Sequence, residues 1–269
     1  MIPHAEPGMS VSPPPHPHLT RAAGQQAAPH PGSFDARTRL YLWLTGVFVT
    51  CLLLANILGV KLFRFELSIG GTSIPIEHTV GMLTFPITFV LTDLLNEYYG
   101  KKAARRVTLI AFSMGLLAFG LILAARNIPI LEGVPGTATQ ASFENIFGSA
   151  ALMYLASMVA FLVGSLLDIF LFGVFKRLTG GKAVWLRATG STVVSQLLDS
   201  FVITFVFFQA LQVLTGGEPA STLFVVKTAL TGYVLKFVIS VLLTPAIYAG
   251  RWAIRRYIGL TPLPPDAQA

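Results

Sequence analysis

Long apolar runs alternate with short polar joints along the chain, and the runs exceed the length of an ordinary core helix. Six of them reach the ~20 residues that a helix needs to cross a hydrocarbon core. They are about Leu40–Val60, His78–Tyr99, Ala104–Ala125, Ile146–Phe175, Ala188–Leu214 and Leu223–Ile247. The fourth is long enough to require tilt, a kink or a projection beyond the bilayer. Between the first two runs, Leu62–Glu77 alternates apolar and polar positions. Phe63–Ile69, a Gly70-Gly71 turn and Thr72–Ile76 predict a short β-hairpin, which either caps an outward-facing pocket or merely connects two helices.

The apolar pattern is missing from residues 1–36, where Pro, His, Ala, Gly and Gln dominate and four histidines (His4, His16, His18, His30) are irregularly spaced. Such a stretch cannot bury enough apolar area to offset its ordering entropy, which predicts a disordered tail. The expected organisation is a tail over 1–36, a six-helix transmembrane domain over 37–259 and a C-terminal tail over 260–269.

Composition narrows the class. Apolar residues make up 54% and charged residues 12% of the 269 positions, too few polar side chains to cover a water-facing surface. An all-α polytopic membrane protein is expected, with the lipid bilayer as a partner. The single Cys51 excludes an internal disulfide. A net charge of +7 could suggest nucleic acid. However, Lys and Arg fall in clusters before residue 40 and around 101–106, 176–187 and 251–256, whereas Lys61, Arg64, Arg126 and Lys227 lie in the alternate joints. That is the asymmetry of membrane topology, and it predicts both termini on the cytoplasmic side of an inner membrane and no nucleic-acid partner.

Ionisable groups inside such helices are costly, so each is a functional candidate. The set is Asp93, Glu97, Asp168, Asp199 and Lys236. Their helical neighbours extend polar faces: Asn96 beside Asp93, Ser195 and Gln196 before Asp199, Tyr233 before Lys236, with Asn56 nearer the other end of the first run. Lipid cannot satisfy these groups, so the faces must turn inward. One outcome is a purely structural ion pair of Lys236 with Asp199 or Asp168. Three acids still meet one base, and the surplus must be protonated, reach water or face a ligand that donates hydrogen bonds. Proton coupling through Asp93 follows from the same surplus. Glu97 is expected to form an interfacial ion pair near Lys101 and Arg105.

Carboxylate and amide acceptors between apolar and aromatic walls suit a small planar ligand with N–H donors, with Phe85 and Tyr233 as stacking surfaces. No phosphate-binding Gly-rich loop is present, so a homo-oligomer or an external energising module stays open. A carboxylate-dyad enzyme is disfavoured because no Gly-x-Gly-Asp element surrounds Asp168 or Asp199 and Lys236 would disturb a shared proton. No cofactor or metal is expected.

At the second run the sequence becomes specific. Gly81-Met-Leu-Thr-Phe-Pro-Ile-Thr-Phe-Val-Leu-Thr-Asp93-Leu-Leu-Asn-Glu-Tyr-Tyr-Gly100-Lys-Lys-Ala-Ala-Arg-Arg106 resembles the queuosine precursor transporter family, also called a vitamin uptake transporter family. Gly164-Ser-Leu-Leu-Asp168, Trp185-Leu-Arg187, Ser191-Thr-Val-Val-Ser-Gln196-Leu-Leu-Asp199 and Lys236-Phe-Val-Ile-Ser240 extend the resemblance over about residues 40–250. It implies a six-helix importer similar in architecture to the substrate-binding subunits of energy-coupling-factor transporters. The implied substrates are 7-cyano-7-deazaguanine and 7-aminomethyl-7-deazaguanine, precursors of a modified tRNA base. The matching positions Asp93, Asn96, Asp168, Gln196, Asp199 and Lys236 become the implied substrate-binding set, joined by Asn56, Ser195, Phe85 and Tyr233 from the polar and aromatic faces. Another vitamin or heterocycle is the alternative cargo.

Overall fold

A computed structural model describes residues 34–69, 71–131, 133–148 and 151–264, so the predicted N-terminal tail lies almost wholly outside the described residues. Helix α1 (Ala36–Leu58) begins at Asp35, whose carboxylate accepts from Thr38 N at 3.3 Å. Strands β1 (Leu62–Ile69) and β2 (Thr72–Thr79) form the expected hairpin, pairing antiparallel from Leu62 opposite Thr79 to Ile69 opposite Thr72.

Helix α2 (Phe85–Arg126) corrects the expected start of the second run. The second apolar run does not start its helix at His78. His78 and Thr79 stay in β2, Val80–Leu83 form a 3₁₀ turn, and Pro86 sits in the first turn of α2. Proline lacks an N–H and is tolerated there but not deeper, so the helix cannot extend further upstream. The second and third runs are also joined, through Gly100 at φ 81° and ψ 172°. That backbone region is essentially open to glycine alone.

Contacts define what Gly100 does. The end of the first arm (85–99) touches the start of α1, where Arg37 Nη2 donates to Tyr98 O at 2.8 Å and Tyr99 OH donates to Arg37 O at 2.7 Å. The second arm (101–126) packs Ala104, Val107 and Ala111 against Leu44 and Phe48. It then brings Phe119 and Ile122 to a cavity shared with Asn56, Ile57 and Val60 at the far end of α1. One arm runs antiparallel to α1 and the other parallel, so the chain turns back at Gly100.

Helix α3 (Gln140–Phe147) is capped by Thr139, whose hydroxyl accepts from Ser142 N at 3.2 Å, and Arg126 grips its Glu144 at 2.7 Å. The expected fourth run is thus shared between α3 and α4 (Ala151–Leu178). Helix α5 (Val184–Phe205) continues through a π turn at Val206–Ala210 into the short α6 (Leu211–Leu214). Helix α7 (Thr222–Leu242) stops one turn before the expected end, and α8 (Thr244–Ala253) restarts with Pro245 in its first turn, by the same proline argument.

Among the described residues, five helical stretches are long and apolar enough to cross a membrane. Their outward positions are apolar, as at Leu121, Leu223 and Leu242, which suits lipid and not water. The chain is a helical membrane protein. Helices α4 and α5 make the most extensive contact of the bundle. The buried small residues Ala156, Ala160 and Gly164 recur every fourth position on α4, letting backbones approach. A Cβ at Gly164 would stand 3.1 Å from Asp199 Cβ, so that approach is what brings Asp199 against α4.

Candidate functional site

Charged side chains gather at two levels of the bundle. At the end carrying the Gly100 turn, Glu97 is 3% exposed and meets cations from three other helices. Lys176 Nζ of α4 lies 3.1 Å from one oxygen, while Arg187 of α5 at 2.5 Å and Arg251 of α8 at 3.4 Å share the other. Arg187 also donates to Gly181 O at 2.7 Å and lies 5.7 Å from the centroid of the Phe172 ring.

This corrects the expectation for Glu97. Lys101 and Arg105 are near it in sequence, but the side-chain spacing of a helix holds only while the helix continues. Gly100 breaks it and sends both residues onto the second arm, where Lys101 sits 4.9 Å from the centroid of the Phe170 ring and Arg105 is exposed. Lys176 and Arg251 were visible in the sequence only as topology charges, and Arg187 also as part of the Trp185-Leu-Arg187 match. The available signal was one acid at a helix end facing several unmatched cations.

The second level lies nearer the middle of the bundle. Asp168 Oδ1 accepts from the Ser191, Thr192 and Ser195 hydroxyls at 2.9, 3.2 and 3.1 Å. All three donors come from one face of α5, which fixes the carboxylate and leaves Oδ2 outside that hydroxyl set. Asp199, two turns along α5 from Thr192, pairs with Lys236 of α7 in a close buried contact. The Lys236 ammonium also lies 5.4 Å from the centroid of the Phe85 ring at the start of α2. Gln196 is 6% exposed, and its Oε1 has no hydrogen-bond partner among the described residues.

Asp93 lies one turn before Glu97 on the first arm of α2. It is 2% exposed, and neither carboxylate oxygen has a hydrogen-bond partner among the described residues. Asn96 ties the same helix to α4 by donating to Ile169 O at 3.2 Å, next to Asp168.

Most of the expected set is therefore brought together: Phe85, Asp93 and Asn96 from α2, Asp168 from α4, Ser195, Gln196 and Asp199 from α5, Lys236 from α7. Tyr233 is half-buried and its ring meets Phe237 at 6.2 Å. Asn56 stands apart. It donates to Leu52 O at 2.9 Å and lines an apolar cavity with Phe119, Phe147 and Tyr154 towards the hairpin end. Among the described residues no group of three His, Cys, Asp or Glu could hold a metal.

At the start of the second level stands His78, in β2 outside the helices. Thr79 N donates to its Nδ1 at 2.8 Å, which places the proton of the neutral ring on Nε2. Burial, and then the charge of Lys236, hold the imidazolium below its usual range. The hairpin is thus close enough to sense the Lys236 charge.

Comparison with known proteins agrees with this architecture. Residues 79–250 match the family described as "Putative vitamin uptake transporter". A "Probable queuosine precursor transporter" of Bacillus subtilis is 30% identical over 213 residues, covering 79% of this chain and 83% of that protein. One of Haemophilus influenzae is 25% identical over 182 residues, covering 65% and 72%. A "Queuosine precursor transporter" of Escherichia coli is 30% identical over 132 residues, covering 49% and 56%. No solved structure matches the chain.

Proposed function

The chain belongs to the queuosine precursor transporter family, and from that premise we propose that it imports 7-cyano-7-deazaguanine and 7-aminomethyl-7-deazaguanine across the inner membrane for tRNA modification. It is a transporter and not an enzyme. The Gly100 reversal supports six passes, with the Glu97 end and both termini on the cytoplasmic side, where the basic clusters fall.

The observation that carries the substrate reading is the division of labour between Asp168 and Asp199. Asp199 is matched by Lys236 without a ligand. Asp168 is held by three hydroxyls on one oxygen and has no cation partner among the described residues. A deazaguanine presents two N–H donors on a guanidine-like edge, which a carboxylate in this state accepts well. Gln196, one turn before Asp199, donates to the neighbouring carbonyl of the ring. Phe85 and Tyr233 supply apolar faces, and Lys236 occupies Asp199.

Uptake of labelled 7-cyano-7-deazaguanine into proteoliposomes holding the purified chain tests this reading. Uptake that is lost in Asp168→Asn supports it. Uptake of riboflavin but of no deazaguanine would keep the transporter and overturn the cargo.

A further inference from the structure

Two buried groups near the Glu97 end are left over, and they are complementary. Asp93, 2% exposed, is an acceptor with no donor for either oxygen among the described residues. Arg187, 1% exposed, has an Nε–H with no acceptor among them, although its two terminal nitrogens are engaged by Glu97 and Gly181. A buried acceptor and a buried donor that both go unused cost free energy, and they invite a second arrangement in which they meet.

The charged groups facing Asp93 are Glu97 on its own helix, Asp168 on α4 and Arg187 on α5. Lys176 and Arg251 stand behind Glu97. Among the described residues Arg187 is the cation whose charge bears on Asp93, and it is committed to Glu97, while Asp168 adds a second acid. An ionised Asp93 in this arrangement would be a buried charge with no hydrogen bond and no counter-ion, a costly state.

The geometry points to Asp93 as a proton-binding site whose charge decides which acid Arg187 holds. With the proton on, Asp93 is neutral, Arg187 stays on Glu97, and the four-residue cluster ties α2, α4, α5 and α8 together at the cytoplasmic end. When the proton leaves for the cytoplasmic water, the freed carboxylate accepts from Arg187 Nε–H. Arg187 then leaves Glu97 for Asp93, one turn along the same helix, so α5 stays joined to α2 but drops out of the cluster in which Lys176 of α4 and Arg251 of α8 hold Glu97. The link from this device to precursor import rests on the transport reading above; the proton site itself does not.

Both tests are therefore made without substrate, on the full chain in lipid nanodiscs or inverted vesicles. Infrared spectroscopy at neutral pH should show a carboxylic-acid C=O band that is absent from Asp93→Asn and retained in Asp168→Asn. If Asp93→Asn fails to insert, Asp93→Glu serves, and the band must move. A spectrum unchanged by either substitution overturns the proton site. For the switch, Cys51, the one native cysteine, is replaced by alanine and Gln196→Cys is introduced. Labelling by a membrane-impermeant maleimide from the cytoplasmic side, normalised to the same thiol in denatured protein, should rise towards alkaline pH with Asp93 present and stay flat in Asp93→Asn. The same pH profile in both proteins overturns the switch.

Discussion

Two charged zones lie a few helical turns apart in one bundle and are imbalanced in opposite senses. Around Glu97, three cations converge on one acid. In the middle, of Asp93, Asp168 and Asp199 only Asp199 is paired with a cation among the described residues, Lys236. The first zone saturates its acid with protein partners and joins four helices, as a structural tie should. The second leaves acceptors over, at both oxygens of Asp93 and at Gln196 Oε1. Buried charge alone does not mark a binding site in a membrane protein; unmatched acceptors in company with matched ones do.

The largest effect of breaking this contrast should come from Glu97→Ala. Lys176 can shed its proton when its partner is removed, but Arg187 cannot, so a buried guanidinium loses its paired carboxylate and is left to Asp93 alone. A loss of about 3–5 kcal/mol is expected, read as a fall in melting temperature in nanodiscs. Glu97→Asp should recover part of it.

Lys236→Met should cost less, about 1–3 kcal/mol, because Asp199 can answer by taking up a proton. Adding Asp199→Leu to it should restore stability rather than compound the loss. A double variant as unstable as the sum of the two singles would show that the pair is not an isolated unit.

Gly100→Ala probes how the two zones are held in register. A side chain at this φ and ψ costs about 1–3 kcal/mol of strain. Since Gly100 is also what turns Lys101 away from Glu97, the variant should show a lowered melting temperature and disturbed Glu97 pairing together.

The smallest effect is a pH dependence at His78. Its imidazolium is held down by burial and by Lys236, so the folded state binds the proton less readily than the unfolded chain. Stability is therefore full above the unfolded value and falls as pH drops through it towards the folded one. His78→Gln should flatten that acid limb in a melting-temperature series, and Lys236→Met should shallow it.

Hydropathy made the membrane class, the helical runs and the hairpin legible, because a bilayer imposes length and polarity directly on sequence. The intramembrane acids were legible for the same reason: each stands out against an apolar run. What the sequence concealed was pairing. The joint between the second and third runs placed a reversal after Tyr99, but nearness in sequence still made Lys101 and Arg105 look like natural partners for Glu97. Arg187 and Lys176 resembled loop charges because topology counting treats every cation near a helix end alike. The start of α2 was readable from Pro86, a signal that hydropathy overrode. Asn56 was grouped with the acids on polarity although its place in the first run already set it nearer the other end, where it donates to Leu52 O and lines a cavity with Tyr154.

The most direct test of the mid-bundle site is the melting temperature of the purified protein with 7-cyano-7-deazaguanine, guanine and riboflavin, in wild type, Asp168→Asn and Asp199→Asn. A ligand that binds only the folded state stabilises it by about 2.7 kcal/mol at a hundredfold excess over its dissociation constant. The account predicts a selective rise with the deazaguanine in wild type that disappears in Asp168→Asn. An equal rise in wild type and in both variants would contradict it.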